Sequence, residues 1–130
     1  MTDAIYYILS NNAAVTAIAG SRVYPMQVPE GKSVPYIMFQ QITSIPDNTQ
    51  TGARSQHSRV QINCYALLNN TAQALGAAVR TALERITPGV YSGITIINTT
   101  VIEGGRDMYN PNADEDGIFW RMLEFDIFHV

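Results

Sequence analysis

Apolar positions along the chain change spacing several times, and each change marks an element. Over residues 3–19, Ile5, Ile8, Leu9, Val15 and Ile18 fall near a 3.6-residue period, which predicts a helix. Thr2 or Asp3 can cap its start and Gly20 stops it. Asn11-Asn12 weakens the middle and makes a break there an open alternative. Residues 22–26 then read as a short strand ended by proline, and residues 28–35 as a loop punctuated by Pro29, Gly31 and Pro35. Residues 36–44, rich in aromatic and β-branched side chains, predict a second strand.

The clearest strand is 58–67. Val60, Ile62, Cys64 and Ala66 point one way, and Arg59, Gln61 and Asn63 point the other. A second helix follows, started by Asn69 or Asn70, with Gln73 spaced to complete a capping box on Asn70. Leu75, Val79, Leu83 and Ile86 line one face of it, Arg80 stands four residues before Glu84, and Pro88-Gly89 ends it. Strands are predicted again at 94–103 and 118–129. Polar stretches at 45–56 and 104–117 predict two long loops, a kind that is usually mobile or functional. The order α-β-β-β-α-β-β predicts an α+β fold, a mostly antiparallel sheet with two helices on one face.

Size makes one domain the natural expectation for residues 1–130. A chain of this length buries about two-thirds of its extended surface, enough for a core without disulfides or a metal. Charged residues make up only 15%, well under the ~25% usual for soluble domains. That economy hints at surface hidden against partners. The net charge of −3 excludes the basic footprint of a nucleic-acid binder. It hides an asymmetry: six basic and four acidic side chains in residues 1–100, against two and seven in residues 101–130. A lone Cys64 excludes an intrachain disulfide and fits a reducing compartment. No signal peptide and no membrane span are expected.

Candidate chemistry is sparse. Asn112, Asp114 and Asp116 followed by Gly117 resemble the opening of a calcium loop. Position twelve would be Leu123, Glu124 comes one place late, and a strand follows instead of a helix. A hairpin loop with turn-forming Asp-Gly is the better reading. Cys64 lies on the apolar side of its strand, so burial and inertness are expected. His57 and His129 are far from any nucleophile pattern and are expected at the surface or an edge. Gly104-Gly105 lacks a phosphate-loop context and reads as a bulge or turn. No catalytic residue, metal ligand or cofactor is predicted. Trp120 and Met122 stand opposite Leu123 and Phe125, so their strand is apolar on both faces. Either a second packed layer or a subunit interface accounts for that. The same pair of readings applies to Tyr36, Met38 and Tyr65.

One resemblance runs through the whole chain. An N-terminal helix is followed by Arg22-Val-Tyr-Pro25, Val34-Pro35-Tyr36-Ile37 and a strand with Gln40-Gln41-Ile42. Then come Val60-Gln61-Ile62-Asn63-Cys64-Tyr65-Ala66 and an alanine-rich helix over residues 72–83. Their succession resembles the phage and prophage tail completion family and is similar to the tail terminator of siphophages such as lambda. The resemblance implies a non-enzymatic virion protein, built in the host cytoplasm. It implies a homohexameric ring at the head-proximal end of the tail tube, which ends polymerisation and offers a head-joining surface. Its partners would be other copies, the tube protein and a neck protein, with double-stranded DNA passing through unbound. A head-completion protein of the neck is the alternative, and a small ligand-binding or enzymatic domain a third. Candidate contacts are Asp47, Asn48, Arg54, Arg106, Tyr109, Trp120 and Met122. A lumen that repels phosphate would use Asp114, Glu115 and Asp116, or Glu124 and Asp126.

Overall fold

A computed structural model describes residues 2–26, 35–48, 54–84, 86–110 and 118–129. Three helices and six strands follow in the order α1 (Thr2–Ser10), α2 (Ala13–Ala19), β1 (Val23–Pro25), β2 (Tyr36–Asn48), β3 (Arg54–Ala66), α3 (Asn69–Glu84), β4 (Gly89–Tyr91), β5 (Ile94–Asn110) and β6 (Ile118–His129). The strands form one sheet in the order β1-β2-β3-β6-β5-β4. Four of the five pairings are antiparallel, and β1 runs parallel to β2. The α+β expectation holds, with one more helix, one more strand and a mixed sheet.

The extra helix arises at Asn11-Asn12. Asn12 leaves helical geometry, and its Oδ1 accepts the Val15 amide at 3.1 Å, which starts α2. The extra strand arises from Ser92-Gly93. Both residues take positive φ (49° and 82°) in the two-residue turn that joins β4 to β5, a conformation suited to tight hairpins.

The predicted loops are the main departure. β2 continues to Asn48 and β3 begins at Arg54, so most of 45–56 is paired ribbon, with Asp47 opposite Ser55. β5 continues to Asn110, so residues 104–110 are strand too, opposite 118–122. Hydrophobic alternation fades there because these stretches run past the helices. Backbone pairing, which sequence pattern does not report, carries them on. The expected loop over residues 28–35 falls almost wholly outside the described residues.

All three helices pack on one face. Their buried residues (Ala4, Ile5, Ile8 and Leu9; Val15 and Ala19; Leu75, Val79 and Leu83) meet Ile37, Phe39, Val60, Ile62, Cys64, Ile96, Leu123, Phe125 and Ile127 from the sheet. In α3, Ala72, Leu75, Gly76, Val79 and Leu83 recur at helical spacing, which turns one stripe inward. Gly76 is small for a reason: a Cβ there would strike the Arg121 side chain, which lies between α3 and the sheet.

Candidate functional site

The face away from the helices can be read as rows across β2, β3, β6 and β5, because directly paired residues project to the same side. The first row is Tyr36, Tyr65, Trp120 and Met108. The second is Met38, Asn63, Met122 and Arg106, and the third Gln40, Gln61, Glu124 and Glu103. The fourth is Thr43, Arg59, Asp126 and Thr100, and the last Ile45, His57, Phe128 and Asn98. Aromatic and sulfur-bearing side chains thus hold one end, charged and amide groups the middle, and a His57–Phe128 stack the far end.

Ring contacts tie the first row together. Tyr24 meets Tyr36 edge-on at 6.2 Å between centroids, Tyr36 meets Tyr65 at 5.0 Å, and Tyr65 stacks on Trp120 at 5.6 Å. Partial burial pushes the Tyr36 and Tyr65 phenols upward; for Tyr65 the neighbouring Tyr36 and Cys64 add to it. Trp120 and Met122 are half-buried on this face while Leu123 and Phe125 are buried on the other, as the two-sided pattern predicted. In the third row Glu103 stands directly opposite Glu124, a like-charge pairing that opposes folding.

The long hairpins leave the sheet at opposite ends. β3 pairs with β6 from Gln56↔His129 to Ala66↔Phe119. The β2–β3 hairpin runs past the His129 end, where Asp47, Asn48 and Arg54 sit in its last pairs. The β5–β6 hairpin leaves at the other end, with Asn110↔Ile118 the described pair beyond Ala66↔Phe119. The candidate contact residues therefore divide. Arg106, Trp120 and Met122 share the aromatic end of the open face. Tyr109 packs on Phe119 at 4.5 Å on the helix side of the sheet and stays 49% exposed. Asp114, Glu115 and Asp116, and the calcium-like segment 112–117, lie outside the described residues.

A polar clasp steadies the β5–β6 hairpin. Arg121 Nη1 donates to Asp107 Oδ1 at 2.6 Å, and Gln73 Nε2 of α3 donates to Asp107 Oδ2 at 2.9 Å. These two bonds, Gln73 first, hold the Asp107 carboxyl below its ordinary range. The capping box predicted role for Gln73 thus gives way to a tie between helix and strand. Gly105, at φ 147°, leaves room for the guanidinium, since a Cβ there would collide with it. Gly104-Gly105 is a bulge, as read from sequence, and its irregularity falls between Glu103 and Arg106.

At the far end the histidines depart from expectation. His129 is 6% exposed, because β6 is a central strand and residue 129 keeps the parity of Leu123 and Phe125. Its Nε2 lies 2.7 Å from Ser58 Oγ; Ser58 in turn bonds Ser44, which donates to Gln56. His57 is half-buried, 3.5 Å from Asp126 and stacked on Phe128. Sequence spacing gave no signal for the Ser58–His129 contact, which the sheet makes across 71 positions. Cys64 is fully buried and its thiol is pushed far up by desolvation. Among the described residues no cluster of three His, Cys, Asp or Glu could hold a metal, and no helix is long and apolar enough to cross a membrane.

The arrangement is one closed core, one patterned open face and two hairpins turned toward opposite ends. Residues 3–129 match the family described as tail completion protein gp17, and the chain belongs to that family. It is a structural, non-enzymatic, virion-associated protein of the phage tail. Among solved structures it is similar to a chain from the virion of a native gene transfer agent particle, at 21% identity and a TM-score of 0.65, covering 97% of this chain and 92% of that one. A second solved chain matches at 14% identity and a TM-score of 0.51, covering 98% and 95%. No curated protein matches by sequence.

Proposed function

We propose that this chain is a one-domain subunit of a closed ring, a homohexamer, that caps the head-proximal end of the tail tube. The ring ends tube polymerisation and offers the surface on which the neck is joined. What supports this is membership of the tail completion family, in a fold whose two long hairpins turn toward opposite ends of one sheet. A capping subunit must touch the tube on one side and the neck on the other. Two opposed arms meet that need without bond chemistry.

The contacts proposed at the aromatic end are Arg106, Trp120 and Met122, with Tyr109 at the same end on the helix side. At the other end they are Asp47, Asn48 and Arg54. Carboxylates at Glu103, Glu124 and Asp126, together with Asp114, Glu115 and Asp116, would face DNA in the lumen and repel phosphate. Assembly would take place in the host cytoplasm. The test is a deletion of the gene in the phage or prophage that carries it, followed by electron microscopy. Overlong tails are expected. Normal-length tails beside unattached heads would instead assign the chain to head joining.

A further inference from the structure

The sheet has two long edges that no described strand covers. Among the described residues β1 pairs only with Ile37, Met38 and Phe39, and no described strand lies along that edge of β2 from Gln40 to Asn48. β4 pairs only with Ile94, Thr95 and Ile96, which leaves β5 open from Ile97 to Asn110. Open edges expose backbone donors and acceptors, and proteins usually guard them with charge or proline. Residues 40–45 and 97–102 contain neither, the nearest guards being Pro46 and Asp47 on β2 and Glu103, Arg106 and Asp107 on β5.

Bulges can also blunt an edge, and both strands are bulged. Three of the four bulges insert an isoleucine, and the fourth is Gly104-Gly105. Ile42 falls between the paired Gln41 and Thr43, Ile97 between Ile96 and Asn98, and Ile102 between Val101 and Glu103. They are 43%, 44% and 42% exposed. An apolar, β-branched residue at every one of these three irregularities is the reverse of a guard.

From these edges we infer that the β2 edge of one copy pairs with the β5 edge of the next, Ile42 packing against Ile97 and Ile102. The occupant is a second copy because each edge supplies what the other lacks. β2, β3, β6 and β5 alternate in direction, so β2 and β5 run antiparallel. A neighbour set beside the first in the same orientation therefore presents β5 antiparallel to β2, the commoner pairing. Neither segment carries charge that would oppose the approach. A two-fold β2–β2 contact would leave both β5 edges open. Head-to-tail pairing uses both edges of every copy and can close on itself.

This inference rests on the ring reading for its setting, and its test is separate. The full-length chain, Ile42→Lys and Ile97→Lys are compared by native mass spectrometry and sedimentation at concentrations up to about 1 mM. Near-ultraviolet circular dichroism and melting serve as fold controls. The unaltered chain should form oligomers, and each lysine variant should weaken association at least tenfold with its fold intact. An equimolar mixture of the variants should regain association but stop at heterodimers, since each retains one good edge. Dimerisation of Ile97→Lys with monomeric Ile42→Lys would mean β2–β2 pairing and overturn the inference. So would monomers throughout, or oligomers indifferent to both lysines. Any of these results, with overlong tails on gene deletion, would leave capping intact and remove only the edge contact.

Discussion

The two faces of β6 lie on the same backbone and differ in almost every respect. Leu123, Phe125 and Ile127 point to the helices and are fully buried in one apolar core. Trp120, Met122, Glu124, Asp126 and Phe128 point away, half-covered by neighbours on the same sheet. The first face is what the fold needs to exist. The second is a mixture of rings, thioethers and carboxylates that no folding requirement selects, and the Glu103–Glu124 pairing works against stability. On the reading proposed above, that side is the one assigned to other molecules.

Substitutions on the two faces should therefore separate stability from assembly. Phe125→Ala should cost about 3–5 kcal/mol in urea unfolding, since it opens a cavity in the closed core. Trp120→Ala on the other face should cost about 1 kcal/mol through the lost Tyr65 stacking, and should impair assembly into particles instead. Equal losses at the two positions would erase the contrast. Gly105→Ala should fall between them, at about 2 kcal/mol, because φ 147° and the Arg121 guanidinium both resist a side chain. Ser58→Ala removes the hydroxyl beside buried His129 and should cost about 1–2 kcal/mol on the closed side.

The smallest effect concerns pH. Asp107 has a folded pKa below its unfolded value, so its contribution is present above the unfolded value and is lost as pH falls through the folded one. Asp107→Asn should remove that part of the acid sensitivity in melts recorded below about pH 4. An unchanged acid profile would mean that the clasp contributes nothing to stability.

Most of the closed face was legible in the sequence, because alternation in 58–66 and helical spacing at Leu75, Val79 and Leu83 are direct marks of burial. The two-sided apolarity of Trp120 and Met122 likewise announced a second face. What stayed hidden was pairing between polar residues. Asp47 and Asn48 have no apolar alternation, yet β3 carries them as strand. β1 was legible as a strand, but its parallel pairing with β2 was not, since nothing in residues 22–26 encodes strand direction. His129 looked terminal and exposed, and only its place in a central strand buries it.

The opposed hairpins also bear on how errors combine. From the Asn48↔Arg54 pair to the Asn110↔Ile118 pair the sheet advances about 13 residue steps, or ~40 Å at ~3.4 Å per step. That is several screening lengths at physiological salt, so charges at one tip are nearly invisible at the other. Thermodynamically the two ends are separate instruments on one frame. Changes at Asp47 or Arg54 and changes at Arg106 or Tyr109 should add without coupling. On the capping reading proposed above, each end could then drift in sequence to follow its own partner while the shared core stays fixed.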